Sequence, residues 1–311
     1  EEGVKNKAQR KVKKKVSKKR ITKTTAKKSV TSQTIKKKAV KKTPKKEQAI
    51  KPPLTKAQIK IFKEVEAAAE CYEDFRDVAN NLAESGDTEW SKKVYKKAEN
   101  EAENEGSDGF SNLGHCLIEY LGDKTWAKKV YEKAEDKAED SSDFSELAYV
   151  IGLHLSDKEW LTRLYKKTEK QAADFYAFCN LAGSIYENLG DKEWAQRIYK
   201  IAEEKAENYS DYSALADSIA EKLGDKKWAK KIYKKAEAMS DNCSDIMALG
   251  DSICQKLGDK KWAKKVYEKS EEEAKADYEY ESLADSVREN LGDIKWAKLL
   301  EQKAKELEDD D

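Results

Sequence analysis

The chain has 311 residues, 40% of them charged, yet its formal net charge at pH 7 is only +1. That balance hides a sharp division, because residues 1–53 hold 21 of the 62 Lys and Arg residues but only three of the 61 Asp and Glu residues. The first part therefore carries a net charge of +18, and residues 54–311 carry −17. No apolar run approaches the ~20 residues of a membrane span, and none follows the basic N-terminus as in a secretory signal.

Residues 1–53 contain all three prolines and no aromatic residue. This composition cannot bury enough apolar surface to offset the entropy of ordering, so we predict a disordered basic tail. Its cluster Lys13–Arg20 is typical of nuclear-localisation and nucleic-acid-binding segments, and Thr43-Pro44-Lys45-Lys46 is similar to a unit of linker-histone tails. We expect the tail to bind DNA or RNA phosphates without sequence preference. The predicted contacts are Lys13, Lys14, Lys15, Lys18, Lys19, Arg20, Lys36, Lys37, Lys38, Lys45 and Lys46.

Other acidic partners fit the same charge. An acidic protein or membrane surface is one alternative, and the acidic remainder of the chain is another. Because the basic tail and the acidic part belong to one chain, they meet at an effective concentration that reaches millimolar for short flexible linkers. Salt screens the charges and weakens this contact. DNA is more densely charged, so we expect it to displace the tail from the acidic part.

Residues 54–72 have the pattern of a short helix before the main array. Thr55 and Gln58 are spaced as a capping box, and Ile59, Phe62 and Val65 recur at helical spacing. We predict a capping helix that covers the open end of the array formed by residues 73–311.

The array is marked by seven tryptophans, which recur every 34 residues after a first interval of 36. A fixed period of this length indicates one supersecondary unit stacked repeatedly, and such solenoids usually serve as extended binding surfaces. The tryptophans are Trp90, Trp126, Trp160, Trp194, Trp228, Trp262 and Trp296.

The repeat is clearest in residues 211–237, which predict two helices. Gly224 is placed to end the first helix in the left-handed conformation, and Asp225 to cap the second. The first apolar stripe comprises Tyr212, Leu215, Ala216, Ile219 and Leu223, and the second Trp228, Ala229, Ile232, Tyr233 and Ala236. A small residue follows each repeat leucine and lets the two helices approach closely.

This pattern, aromatic-x2-Leu-small-x2-Ile and then Ala-x3-Tyr-x2-Ala, resembles the tetratricopeptide repeat over residues 73–308. The resemblance implies an all-α, right-handed superhelical solenoid of about seven hairpins. Copies after the first depart from the family by one additional residue between the helices, and none has the proline that often ends the second helix. The string WAKKVYEKAE (126–135) is also similar to half-a-TPR repeats, although that family has its tryptophan in the first helix.

In tetratricopeptide repeats the first helices line a concave groove, so the resemblance implies a non-catalytic scaffold whose groove binds a protein. The predicted outward positions of these helices include Ser111, Cys179 and Gly183, and they become acidic in the C-terminal half of the array, which should attract a basic peptide. The alternative is that these carboxylates are only solvated. The predicted groove residues are Tyr149, Asp217, Glu221, Asp251, Asp285 and Glu289.

The same residues are compatible with other functions. The tryptophan row could stack nucleic-acid bases, but its place beside the apolar stripes favours packing. His115 and His154 are not accompanied by further Cys or His residues at the spacing of a zinc site. No nucleotide or catalytic motif occurs, so we expect neither an enzyme nor a cofactor. The competing class is a chromatin-, nucleoid- or RNA-associated protein in which the array is mainly a spacer.

Five cysteines without CxxC spacing fit a reducing compartment. We therefore expect a cytoplasmic location, nucleoid-associated if the source is bacterial and possible in the nucleus if it is eukaryotic.

Overall fold

A computed structural model of the protein describes residues 53–308, and all regular structure in this range is helical. The absence of strands from the described range confirms the all-α prediction. The fifteen α-helices are α1 (Lys56–Ala67), α2 (Tyr72–Ser85), α3 (Thr88–Glu101), α4 (Gly106–Leu121), α5 (Lys124–Lys137), α6 (Ser141–His154), α7 (Lys158–Gln171), α8 (Phe175–Leu189), α9 (Lys192–Lys205), α10 (Tyr209–Ser218), α11 (Lys226–Met239), α12 (Cys243–Ser252), α13 (Lys260–Glu273), α14 (Asp277–Ser286) and α15 (Ile294–Glu308).

Consecutive helices pack in pairs from α2/α3 to α14/α15, which makes seven helical hairpins, referred to as hairpins one to seven. Each first helix also packs against the first helix of the next hairpin, and each second helix contacts that same neighbour. Residues from all seven hairpins join one continuous core. A solenoid of helical hairpins is therefore confirmed, while its superhelical handedness stays a prediction.

The junction inside each hairpin has the predicted chemistry. Gly224 ends the first helix of hairpin five at φ 67°, and the Asp225 side chain accepts a hydrogen bond from the Trp228 backbone N–H at 3.0 Å. The same cap recurs before every tryptophan. Hairpin three is the exception at the glycine, because Ser156 stands there and adopts φ 53°, a conformation that is uncommon for a residue with a side chain.

In the last three hairpins the first helix ends in a π-helical turn. These turns span Ile219–Leu223, Ile253–Leu257 and Val287–Leu291. A π turn holds one more residue than the α-helical turn that it replaces. Hairpins two to four carry the same additional residue between their helices without a π turn, so that residue does not by itself require one.

Helix α1 begins with the predicted capping box, in which Thr55 and Gln58 bond to each other's backbone N–H groups. It packs against hairpin one, and the ring of Phe62 meets Trp90 edge-on with centroids 6.0 Å apart. Tyr95 meets Trp126 in the same way at the next junction, with a separation of 6.4 Å. Helix α1 thus takes the place of a second helix in front of hairpin one.

The second-helix tyrosines are fully buried where they press on the small residue of the first helix. A Cβ added to Gly250 would lie 2.5 Å from the ring of Tyr267, and one added to Gly114 would lie 2.3 Å from the ring of Tyr131. Both distances are far below van der Waals contact, so a side chain at either glycine would force the tyrosine ring to shift.

We predict that Gly250→Ala destabilises the array by about 1–3 kcal/mol, because the added methyl group overpacks the core. Gly183→Ala is the matched control, since its Cβ would meet only the Tyr199 hydroxyl at 3.4 Å and Lys222 at 4.0 Å. Urea denaturation of both variants measures the difference. Equal effects of the two substitutions would contradict the packing argument.

Candidate functional site

Each tryptophan joins its hairpin to the helix before it through the indole N–H. Trp160 is buried and the other six are half-buried, which favours the packing interpretation over base stacking. The acceptors are glutamates on the preceding second helix, or on α1 for the first junction. The Nε1–Oε2 pairs are Trp90–Glu66 (2.7 Å), Trp126–Glu99 (3.0 Å), Trp160–Glu135 (2.6 Å), Trp194–Glu169 (2.9 Å), Trp228–Glu203 (3.2 Å), Trp262–Glu237 (3.2 Å) and Trp296–Glu271 (2.8 Å).

The second carboxylate oxygen of most of these glutamates holds a cation of the following hairpin. Glu203 accepts from Lys235 Nζ at 2.8 Å, and Lys235 Nζ lies 5.4 Å from the centre of the Tyr212 ring. Hairpins one, two, three and seven repeat this lysine contact. In hairpin four Ile201 takes the lysine position, and Arg197 pairs with Glu169 instead.

We did not predict this glutamate row, although the sequence contains its signal. A glutamate stands nine residues after each of the first six tryptophans, and Lys305 stands there after the seventh. The exception is informative, because the described chain places no further hairpin against the last helix. The tryptophan and the glutamate therefore recur with the same period because they bond to each other across each junction.

Glu135 is the most heavily bonded member of the row, with donors from Trp160, Arg163 and Lys167. Burial alone would raise its pKa, but these hydrogen bonds lower the pKa to about 2. A carboxyl group whose pKa is lowered by folding stabilises the fold above its ordinary pKa, and that contribution is lost as the pH falls towards the folded value.

The groove residues all lie on first helices, but their surroundings differ. Asp217 and Asp251 are half-buried. The hydroxyl of Tyr233 donates to Asp217, and that of Tyr267 donates to Asp251 at 2.6 Å. Burial raises the pKa of both carboxyl groups, although the tyrosine hydrogen bonds oppose this effect. These two carboxylates are thus bonded inside the array.

The other four groove residues are exposed. Glu221 pairs with Lys256, and Asp285 pairs with Arg288. Tyr149 is 62% exposed, and Leu153 one turn later is 57% exposed. Hairpin three thus presents an exposed apolar pair, and hairpins five and seven present the exposed acidic residues.

The prediction that these first-helix positions face outward was wrong for three of them. Ser111, Cys179 and Gly183 are buried, because neighbouring first helices pack closely enough to cover these positions. The periodicity of one helix does not show how far the next helix overlaps it. The predicted tail contacts from Lys13 to Lys46 lie outside the described residues.

The two histidines meet between hairpins two and three. His115 Nδ1 lies 2.8 Å from His154 Nε2, and His115 Nε2 lies 3.1 Å from Glu119. Burial, together with the charges of His115 and Lys124, lowers the pKa of His154. Within the described range no group of His, Cys, Asp and Glu residues could hold a metal ion. No helix in that range has both the length and the apolar character needed to cross a membrane.

No family model and no curated protein matches the chain. One solved structure with similarity is a circular tandem repeat protein with a novel repeat topology and enhanced subunit contact surfaces. It shares 17% identity, and the match covers 80% of this chain and 59% of that one, so less than two thirds of that protein is spanned. The TM-score is 0.22, which is too low to support any argument. The fold assignment therefore depends on the helices and contacts described above.

We predict that Glu135→Gln lowers the free energy of unfolding by about 1.5–3 kcal/mol at pH 7, because hydrogen bonds to a charged acceptor are lost. The deficit relative to the unsubstituted protein should shrink as the pH falls from about 4.5 towards 2, where Glu135 itself becomes protonated. Urea denaturation at pH 7 and pH 3 measures both values.

Asp136→Asn is the matched control, since Asp136 is an exposed neighbour on the same helix. It should change the free energy of unfolding by no more than about 0.5 kcal/mol. A deficit for Glu135→Gln that is the same at both pH values would refute the proposed role of the charge.

Proposed function

We propose that the protein is a non-catalytic scaffold of the tetratricopeptide-repeat type, whose first-helix face binds a protein or basic peptide. The observation that carries this proposal is the exposure of Tyr149, Leu153, Asp285 and Glu289 on that face. Large exposed apolar side chains and exposed charged side chains distributed along one face are both typical of protein-binding surfaces. The regular array that presents them supports the same function, because solenoids offer extended surfaces to partners.

Only some of the acidic groove residues are suitable for charge reversal in a binding test. Asp217 and Asp251 accept hydrogen bonds from buried tyrosines. Replacing either aspartate with lysine would therefore disturb the fold as well as the surface charge. Asp285 and Glu289 are exposed, so their charges can be reversed at little cost in stability.

The second part of the proposal is that residues 1–53 bind DNA or RNA through their +18 charge. This charge is the observation that supports it, because each phosphate neutralised by a lysine or arginine releases a counterion. In the alternative function nucleic-acid binding dominates and the array mainly separates the tail from other components.

We predict that the full-length protein with Tyr149→Ala, Asp285→Lys and Glu289→Lys retains at most a tenth of the protein partners captured by the unsubstituted chain. Capture followed by mass spectrometry measures this, with circular dichroism to verify the helical fold. Glu272→Lys with Glu273→Lys is the control, because these exposed glutamates lie on a second helix. Unchanged capture by the groove variant would contradict the scaffold function.

We predict that replacing Lys13, Lys14, Lys15, Lys18, Lys19 and Arg20 with glutamine weakens DNA binding and flattens its salt dependence. If all six contact phosphates, the slope of log K against log salt should fall by about 5. Fluorescence anisotropy with a labelled duplex at several salt concentrations measures the slope. An unchanged slope excludes this cluster from DNA binding. Loss of every protein partner with these charges would favour the alternative function.

A further inference from the structure

Hairpins five and six share an internal carboxylate contact between neighbouring hairpins. In hairpin five the Tyr233 hydroxyl donates to Asp217, and the Ser252 hydroxyl of the next hairpin donates to the same carboxylate at 3.5 Å. In hairpin six the corresponding donors to Asp251 are Tyr267 at 2.6 Å and Ser286 at 3.3 Å. A first-helix carboxylate thus satisfies a buried tyrosine and a serine from the next hairpin.

A lysine completes the arrangement in hairpin five. Lys256 comes from the next hairpin and pairs with Glu221. Its positive charge also acts on Asp217 and partly offsets the effect of burial on the carboxylate. The site in hairpin five therefore combines a tyrosine, a serine and a nearby ammonium group around one carboxylate.

Hairpin four has the same donors without the carboxylate. Tyr199, Ser218 and Lys222 stand 34 residues before Tyr233, Ser252 and Lys256, and Gly183 stands 34 residues before Asp217. The Tyr199 hydroxyl is buried and has no hydrogen-bond partner within residues 53–308. Ser218 instead accepts a weak hydrogen bond from the thiol of Cys179 at 3.5 Å.

The packing does not require glycine at this position. A Cβ added to Gly183 would contact the Tyr199 hydroxyl at 3.4 Å and Lys222 Cγ at 4.0 Å, which are ordinary distances. Gly114 and Gly250 differ, because a Cβ there would overlap a tyrosine ring. The place beside Tyr199 can therefore accept additional atoms.

Within residues 53–308, hairpin two contains another second-helix tyrosine with an unpartnered hydroxyl. The buried hydroxyl of Tyr131 also lacks a partner in the described part of the chain. However, the residue that corresponds to Gly183 is His115, whose ring bonds to His154 and Glu119. An imidazole already occupies that position, so within residues 53–308 only the Gly183 position combines an unpartnered second-helix tyrosine with the absence of a side chain.

We propose that the Gly183 position, formed by Tyr199, Ser218 and Lys222, binds a carboxylate group supplied by a ligand. The ligand carboxylate takes the role that Asp217 has in hairpin five, accepting from the tyrosine and serine hydroxyls and facing the lysine. This binding site goes beyond the proposed scaffold function. A small carboxylic acid and an Asp or Glu side chain of a bound peptide share the required chemistry.

Entry to the site involves the Lys222–Glu187 pair. Its side chains are 38% and 54% exposed, and exposed ion pairs contribute little free energy. A ligand carboxylate can therefore replace Glu187 as the partner of Lys222. Binding also relieves the cost of leaving the Tyr199 hydroxyl buried without a hydrogen bond.

The first test uses sodium acetate as the probe, with sodium chloride at equal ionic strength as the reference. In the full-length protein, acetate should raise the thermal midpoint in a saturable manner, since a ligand of the folded state stabilises it. Gly183→Asp should abolish the acetate response, because the introduced carboxylate occupies the site. Gly183→Ala controls for the change in helix propensity and should still respond.

Tyr199→Phe gives a second measurement that does not depend on how Gly183→Asp folds. It should weaken the acetate response about tenfold, whereas Tyr233→Phe, the equivalent change in hairpin five, should leave the response intact. The proposal is overturned if acetate has no effect beyond chloride and the Asp-containing peptide described below binds no more tightly than its Asn counterpart. It is equally overturned if the unsubstituted protein, Gly183→Asp and Tyr199→Phe all respond alike.

A second arm separates the two sources of the carboxylate. The probes are the acetylated, amidated peptide Lys-Leu-Asp-Lys and its counterpart with Asn in place of Asp, titrated by NMR of the protein amides. Tighter binding of the Asp peptide, lost in Gly183→Asp, supports the site and assigns it to a peptide side chain. Equal binding of the two peptides together with a specific acetate response supports the site and assigns it to small carboxylic acids. Equal binding without an acetate response overturns the proposal.

Discussion

The hydrogen bond from each tryptophan indole to a glutamate on the second helix of the preceding hairpin, or on α1 for hairpin one, is the contact on which the array depends. This hydrogen bond links one hairpin to the next. Within each hairpin, by contrast, the two helices are held together by the buried tyrosine, leucine and small residue. The glutamate also holds a lysine or arginine in most junctions, and that lysine lies against the first-helix aromatic ring. One carboxylate therefore couples the second helices of neighbouring hairpins and positions a side chain over the first helix.

This construction explains why the repeat tolerates variation on its surface. In the first-helix position that faces the buried tyrosine, Asn80, Tyr149, Gly183 and Asp217 replace one another along the array. The tryptophan and glutamate do not vary in the six hairpins that are followed by another. The contacts between neighbouring hairpins thus recur unchanged while this first-helix position varies from one hairpin to the next.

The helices and their ends could be predicted from the sequence, because caps and apolar stripes are local signals. Gly224, Asp225 and the capping box at Thr55 show this directly. The exposure of the first-helix positions could not be predicted from the sequence, because the burial of Ser111 and Cys179 depends on how closely the next hairpin packs. Likewise, the sequence identified Asp217 as acidic and outward but did not reveal the buried tyrosine hydroxyl that it accepts from. The tail contacts stay predictions.

The junctions are unequal in a way that concerns how the array would come apart. Glu135 receives three donors at the junction between hairpins two and three, whereas Glu237 receives only the indole of Trp262 among the described contacts. In a solenoid, each hairpin is stabilised only by its neighbours. On heating, the junction between hairpins five and six should therefore open early, so that hairpins six and seven separate together, while the junction around Trp160 should open late.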